Sequence, residues 1–339
     1  MRIGLTYDLR DAPAPGQPDD HQEEFDSQHT IDAIADALRG LGHVVDLVGD
    51  GPDMVAKLLA DPPGFVFNFA EGRGTSRNRE ARVPALCELL AIPHTGSDVL
   101  TLAATLDKDV ARRLAASDGI PVPRGKVLTS DCQLSDLDLA DVPYPRIVKP
   151  AWEGSSKGIR GKCVAEDAAG LAEAVEYLRA NYPQPVLIEE FIDGEEVTVG
   201  MIGNEEPQIL GILRVLPLKA TARFVYSLEV KRDYVNQVRY ECPPRLAPAE
   251  LQRIEHTARA VFRVLGCRDV ARIDFRVRGG IPYFLEVNPL PGLNPESSDL
   301  VILARAVGWT YPQLIEAILQ AALDRTGRAG RPPAEGQLV

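Results

Sequence analysis

What the chain lacks narrows its roles first. Its 339 residues show no basic excess: 37 Lys and Arg stand against 49 Asp and Glu, a net charge of −12. Nucleic acid and anionic membrane surfaces are thereby excluded as principal partners. An anionic ligand must instead be met by local cations, backbone N–H groups or a metal. No apolar stretch approaches the roughly 20 residues of a membrane span. The N-terminal MRIGLTYDLR has no apolar core behind a basic start, so no signal peptide is expected. The five cysteines (Cys87, Cys132, Cys163, Cys242, Cys267) are scattered without a C-x-x-C pair. Neither a zinc site nor a disulfide framework is expected, and a cytoplasmic protein with idle thiols is the reading. Internal repeats, low-complexity blocks and the phosphate-binding pattern G-x-x-x-x-G-K-[ST] are also missing.

What is present is alternation. Ile3–Tyr7, Val44–Val48 and Phe65–Phe69 read as strands, with a helix of period 3.6 on Ile31, Ile34, Ala35 and Leu38, capped by Thr30 and ending near Gly40. Strand–helix–strand units of this length predict a parallel sheet. Residues 10–28, RDAPAPGQPDDHQEEFDSQ, form a long Pro-rich acidic insert, a kind of loop that is often functional. A helical block is predicted over Thr101–Ser117, a strand over Tyr144–Lys149, a helix near Ala168–Arg179 and a strand at Val186–Glu189. From Glu195 onward strands follow one another (EVTVGMIG, QILGILRVL, QVRYE). A helix at Ala249–Leu265, a hairpin over Arg272–Asn288 and a helix at Tyr311–Leu323 complete the chain. Three α/β domains account for this order.

The chemistry concentrates in the hairpin. Arg272-Ile-Asp-Phe-Arg-Val277 and Tyr283-Phe-Leu-Glu-Val-Asn288 both alternate, with RGGIP between them as the turn. A five-residue loop there would put Asp274 opposite Glu286 and Arg272 opposite Asn288, all on one face. Carboxylates directly opposite each other repel unless a cation intervenes. Two carboxylates and an amide suit Mg²⁺ or Mn²⁺, whereas a salt bridge to Arg272 is the simpler use of the same residues. Elsewhere, strand Ile147–Lys149 runs into Glu153-Gly-Ser-Ser-Lys-Gly158. There Ser155, Ser156 and backbone N–H groups can donate to phosphate oxygens, and Lys149 adds a charge. The strand PVLIEEFIDGEE presents Glu189, Glu190 and Glu196, carboxylates suited to ribose hydroxyls, or equally a charged linker.

In this order the stretches HTGSDVLTLAATLDKDVARR, IVKPAWEGSSKGI, VLIEEFIDGEEVTV, LEVKRDY, ARIDF and FLEVNPLPGL resemble the ATP-grasp superfamily, and within it the D-alanine–D-alanine ligases. The resemblance spans roughly residues 92–320. It implies an α/β fold of three domains: an N-terminal parallel-sheet substrate domain (1–107), a central α+β ATP lid (108–194) and a C-terminal α+β domain with the metal site (195–330), followed by a tail (331–339). It implies ATP and two Mg²⁺ ions, with Mn²⁺ as a substitute, small amino-acid substrates, and a fold that often forms homodimers. Lys108 and Lys149 match the lysines on the ATP phosphates, Ser155 and Ser156 the phosphate-covering loop, and Glu189, Glu190, Phe191 and Ile192 the adenine hinge. Glu196 matches the ribose carboxylate, Lys231 a lysine reaching the terminal phosphate, and Asp274, Glu286 and Asn288 the metal ligands. Arg272 and the Gly292 N–H match the oxyanion site.

Two departures concern the substrates. The family's Gly-Gly-x-Ser-x-Glu segment is absent, and its ammonium-binding glutamate has four stand-ins here: Asp8, Glu23, Glu24 or Asp26. After Pro-Gly292 the chain reads LNPESSDL, so Ser297 and Ser298 fall where the second substrate is gripped, and Glu296 adds a negative charge suited to a cationic or larger acceptor. The expected activity is an ATP-dependent carboxylate–amine ligase working through an acyl phosphate. The alternatives are a ligase for other amino acids or a metabolite carboxylate, and a nucleotide-binding regulatory protein without turnover.

Overall fold

The computed structural model describes residues 1–12, 16–221 and 223–328; the expected tail lies outside them. The N-terminal sheet is parallel, in the order β2-β1-β3 (β1 Arg2–Tyr7, β2 Val44–Gly49, β3 Phe65–Phe69). Helix α1 (Gln28–Gly40) is capped by Ser27, whose hydroxyl accepts from Thr30 N. Thr30 is therefore not the cap: it is buried in the first turn and accepts from Asn294 Nδ2 at 3.0 Å. Helices α2 (Gly51–Ala60) and α3 (Arg82–Leu89) complete this layer.

The predicted Thr101–Ser117 helix is two helices, α4 (Val99–Leu106) and α5 (Lys108–Ser117). Asp107 breaks it. Its backbone is extended, and its carboxylate caps α5 through Val110 N and accepts from Trp152 Nε1 at 3.0 Å. The break places Lys108 in the first turn of α5.

A second sheet has the order β4-β7-β5-β6 (β4 Gly125–Leu128, β5 Arg146–Pro150, β6 Val164–Ala165, β7 Val186–Glu190) and is covered by α6 (Ala168–Asn181). The third sheet, β10-β9-β8-β11-β12, is antiparallel (β8 Glu195–Gly203, β9 Gln208–Pro217, β10 Val238–Glu241, β11 Asp269–Arg278, β12 Ile281–Asn288). Short helices α7 (Leu228–Arg232) and α8 (Tyr234–Gln237) lie beside it, and α9 (Pro248–Val264) and α5 pack on its apolar face. Helix α10 (Asp299–Ala306) rests against β8 and β9, and α11 (Tyr311–Arg325) packs on α1. The close approach of α10 requires Gly200, where a Cβ would meet Leu300 Cδ1 at 2.8 Å. Among the described residues no helix is long and apolar enough to cross a membrane.

The β11–β12 hairpin differs from expectation in a compensating way. Its turn is Gly279-Gly280, both at positive φ (58° and 73°), not a five-residue loop. A bulge at Leu285, opposite the Asp274-Phe275 step, then shifts the register by one residue. Arg272 consequently pairs with Asn288 and Asp274 with Glu286, the same partners that the longer loop would have given.

Candidate active site

Strand alternation puts Arg272, Asp274, Glu286 and Asn288 on one face of the hairpin. Arg272 Nη2 lies 2.9 Å from Asp274 Oδ2 and 3.8 Å from Glu286, and Asn288 Nδ2 donates to Asp274 at 3.3 Å. Burial works against the charge of Glu286, but Lys108, Lys231, Arg272 and Lys149 outweigh it and hold the carboxyl far below its ordinary range. Lys108 Nζ lies 3.3 Å from this carboxylate, and Lys149 and Lys231, from two other segments, line the same cleft. Asp274 behaves oppositely: burial pushes it up, Arg272 opposes that, and the Glu286 charge adds to it. Burial likewise opposes the charge of Arg272, yet Asp274 and Asp299 hold it protonated. Among the described residues no three His, Cys, Asp or Glu side chains gather into a metal cluster. The third oxygen donor here is the Asn288 amide. An all-oxygen set whose Asp274 proton affinity is raised partly by a facing carboxylate fits a hard divalent cation.

A cleft opens beside this face. It is lined by Lys149, Ser156, Glu189, Glu190, Phe191, Ile192, Glu196, Lys231, Asp274 and Glu286, so ten of the residues singled out in the sequence meet there. Lys149 pairs with Glu189 at 2.6 Å, and Glu190 with Arg278 at 2.8 Å. Glu196 is held by Arg276 at 2.5 Å, and the same guanidinium lies 4.7 Å from the Phe191 ring centroid. Lys231, on α7, sits 5.1 Å from the Tyr226 ring. A second recess gathers Lys108, Ser155, Arg272, Asn288 and Gly292, together with Glu71 and Glu80.

The loop after β5 is tied down by the N-terminal insert. Ser155 and Ser156 both adopt positive φ (49° and 57°), a costly conformation outside glycine. Gly154 N donates to Glu24 at 2.5 Å, and Gly158 N to Asp20 at 3.0 Å, so these two N–H groups face carboxylates of the insert. Asp20 is fully buried and also accepts from Tyr182 OH at 2.8 Å. Arg79, 1% exposed, bridges Glu24 (2.6 Å) and Glu153 (3.5 Å).

A third cavity adjoins the other two and holds Glu23, Glu24, Asp26, Glu71, Ser155, Lys231, Arg272, Gly292, Ser297, Ser298 and Asp299. The four stand-ins for the missing glutamate separate here. Asp8 is not in the cavity: its Oδ2 accepts from Gly72 N at 2.7 Å, and burial together with Asp50 pushes it up to about 7. Glu23 is paired with Arg232 at 2.6 Å, and Glu24 is committed to Arg79 and Gly154. Asp26 lines the cavity, and burial pushes it up to about 7. Glu71, passed over in the sequence, is raised well above its usual range by burial and by Glu80 and Glu24. Ser298 Oγ accepts from Asn294 N at 2.8 Å, and Ser297 Oγ donates to Asn294 Oδ1 at 3.0 Å. Glu296 does not enter the cavity. It lies exposed, 3.7 Å from His29, because the turn before α10 points it outward. The inward carboxylate of this segment is Asp299, buried at the start of α10, for which LNPESSDL carries no distinguishing signal.

Residues 114–320 match the family model described as D-ala D-ala ligase C-terminus. The chain is similar to a D-alanine–D-alanine ligase of Gloeobacter violaceus, 35% identical over 295 residues, which cover 86% of this chain and 93% of that protein. It is also similar to the uncharacterized protein y4sG of Sinorhizobium fredii, 32% identical over 335 residues, with 95% of this chain and 92% of that protein covered. Among solved structures, the D-alanine–D-alanine ligase of Bacillus anthracis complexed with ATP shares the fold at TM-score 0.74 and 24% identity, over 97% of this chain and all of that one (100%).

Proposed function

The chain belongs to the D-alanine–D-alanine ligase family and is an ATP-dependent ligase, and we propose that it joins an amino-acid carboxylate to an amine through an acyl phosphate. The observation that carries the proposal is a cleft walled by Lys149, Lys231, Asp274 and Glu286, with Lys108 3.3 Å from Glu286. Lys149 pairs with Glu189 and Lys108 with Glu286 in the ligand-free protein, and a triphosphate would give all three lysines a common anionic partner.

In this reading the cleft bounded by Glu189–Ile192 takes the adenine, and Glu196 meets the ribose. Lys108, Lys149 and Lys231 hold the phosphates, with Ser155 and Ser156 covering them. Asp274, Glu286 and Asn288 would hold Mg²⁺, two ions in the family pattern, with Mn²⁺ as a substitute. When bound, the metal supplies neutralisation of phosphate charge. The substrate carboxylate attacks the γ-phosphorus of ATP, giving acyl phosphate and ADP. An amine then attacks the acyl carbon, and the developing oxyanion is met by Arg272 and the Gly292 N–H. The third cavity takes the small amino-acid substrates, whose binding would displace water from the acyl phosphate. A cytoplasmic setting suits this chemistry, since ATP is at hand there.

The test is a screen of ATP-dependent phosphate release against D- and L-amino acids, singly and in pairs, with product masses. An amide product from one pair is the expected result. Tight Mg-ATP binding without turnover on any pair would overturn the ligase reading in favour of a regulatory protein.

A further inference from the structure

Amide formation requires a base that none of the residues above supplies. The nitrogen of an acceptor amino acid is an ammonium near neutral pH and must lose a proton before its lone pair can attack. Lys108, Lys149 and Lys231 are cations. Arg272 and Gly292 face the oxyanion, and Asp274, Glu286 and Asn288 form the metal set.

Asp299 stands where such a base is needed. It walls both the cleft and the third cavity, and among the described residues it is the one carboxylate common to them. The acyl phosphate must form at that junction, because the γ-phosphate arrives from one side and the amino acids from the other. Tyr226 OH donates to Asp299 Oδ1 at 2.9 Å and fixes the carboxylate. Oδ2 is 3.7 Å from Arg272 Nη1, beyond hydrogen-bond range, and accepts no hydrogen bond among the described residues. The other carboxylates of the cavity are placed differently. Glu23 is held by Arg232 and Glu24 by Arg79, while Asp26 and Glu71 do not reach the cleft wall.

On the ligase reading, we propose that Asp299 is the general base of the amide-forming step: it receives the acceptor ammonium at Oδ2 and takes one of its protons. The freed lone pair forms the C–N bond at the acyl carbon, and the carbonyl π electrons move onto oxygen, facing Arg272 and the Gly292 N–H. As the C=O bond re-forms, the C–O bond to phosphate breaks and inorganic phosphate leaves with the electron pair. A second nitrogen proton goes to that phosphate, and Asp299 returns its own proton to water. The acceptor class that follows is an amine carrying positive charge before reaction.

The test compares two nucleophiles on the Asp299→Asn variant, which keeps the acceptor oxygen for Tyr226. One is the acceptor amino acid identified by the phosphate-release screen. The other is hydroxylamine, which is neutral near pH 7 and captures acyl phosphates as hydroxamates without prior deprotonation. Amide formation is expected to fall about 100-fold or more, with hydroxamate formation within about threefold of wild type. Asp299→Glu, which keeps the charge, should recover part of the amide rate. Equal loss of both products would overturn the proposal and leave Asp299 as a support for Arg272. So would an unchanged amide rate, or the same split appearing in Glu71→Gln instead. If the wild type forms neither product, the ligase reading falls first and this assignment with it, a result that the variant comparison keeps distinct.

Discussion

Asp274 faces Glu286 across the β11–β12 hairpin because a one-residue bulge restores a register that the tight Gly279-Gly280 turn would otherwise have displaced. Two carboxylates are thereby held opposite each other with Lys108 at 3.3 Å and Arg272 at 3.8 Å from Glu286. On the proposed reading, Glu286→Gln should lower ATP turnover by roughly 10²-fold or more, since a ligand of the cation that neutralises the phosphates is lost. It should also cost the ligand-free protein on the order of 1–2 kcal/mol, because Lys108 loses its partner. Thermal shift with ATP, with and without Mg²⁺, checks this. The Mg²⁺-dependent part of the rise should vanish in the variant, and a full rise would remove Glu286 from the metal set.

Arg79 is the hub of the buried acidic cluster. With 1% exposure it joins Glu24 of the insert to Glu153 of the loop, and donates to the Trp152 carbonyl at 2.7 Å. Arg79→Met leaves Glu24 and Glu153 to share the charge of Lys157, besides their hydrogen bonds from Gly154 N and Gln184 Nε2. A loss of about 3–5 kcal/mol is expected, as for other buried pairs broken on one side. Denaturant unfolding measures it; a loss below about 1 kcal/mol would mean that water already solvates the cluster.

Asp20 makes a narrower prediction. It accepts from Gly158 N and Tyr182 OH with no solvent exposure, so Asp20→Ala leaves both donors unpaired. Exchange of the Gly158 amide hydrogen should quicken by about tenfold or more, in step with a local cost of about 1–3 kcal/mol. Amides in α9, far along the chain and outside this network, should keep their protection.

How much of this was legible in the sequence follows the range of the forces involved. The face shared by Arg272, Asp274, Glu286 and Asn288 was legible, because a period of two is a local property of strands. The bulge that sets their register was not, since no glycine or proline marks it at Leu285, opposite Asp274-Phe275. Thr101–Ser117 read as one helix because the polar Asp107 fits a helical surface. Its extended backbone depends on caps and on Trp152, distant in sequence. Glu296 and Asp299 looked alike, three positions apart in one polar loop. Which one turns inward depends on how α10 seats against Gly200. Gly154 and Gly158, whose N–H groups Glu24 and Asp20 hold, lie well over a hundred residues away, so composition marked the insert as acidic without saying what it grips.

The last prediction concerns pH. Asp26 lines the third cavity, and burial raises its carboxyl from the ordinary 3.8 to about 7, with Thr30 and Arg10 opposing the shift. Below about pH 4 the folded and unfolded chains both hold this proton, and Asp26 costs nothing. Between about pH 4 and about pH 7 the unfolded chain releases it while the folded chain keeps it, so stability falls as pH rises. Above about pH 7 the deficit is constant, on the order of 4 kcal/mol. Asp26→Asn should therefore leave stability nearly unchanged at pH 4 and raise it at pH 8, which reverses the usual effect of removing a paired carboxylate. Asp8, pushed up to about 7 by burial, has the same sign, so part of the slope should persist in the variant. Urea unfolding of both proteins from pH 4 to pH 8 decides the matter: parallel curves would show that Asp26 is ionised in the folded protein, with a cation or water beside it.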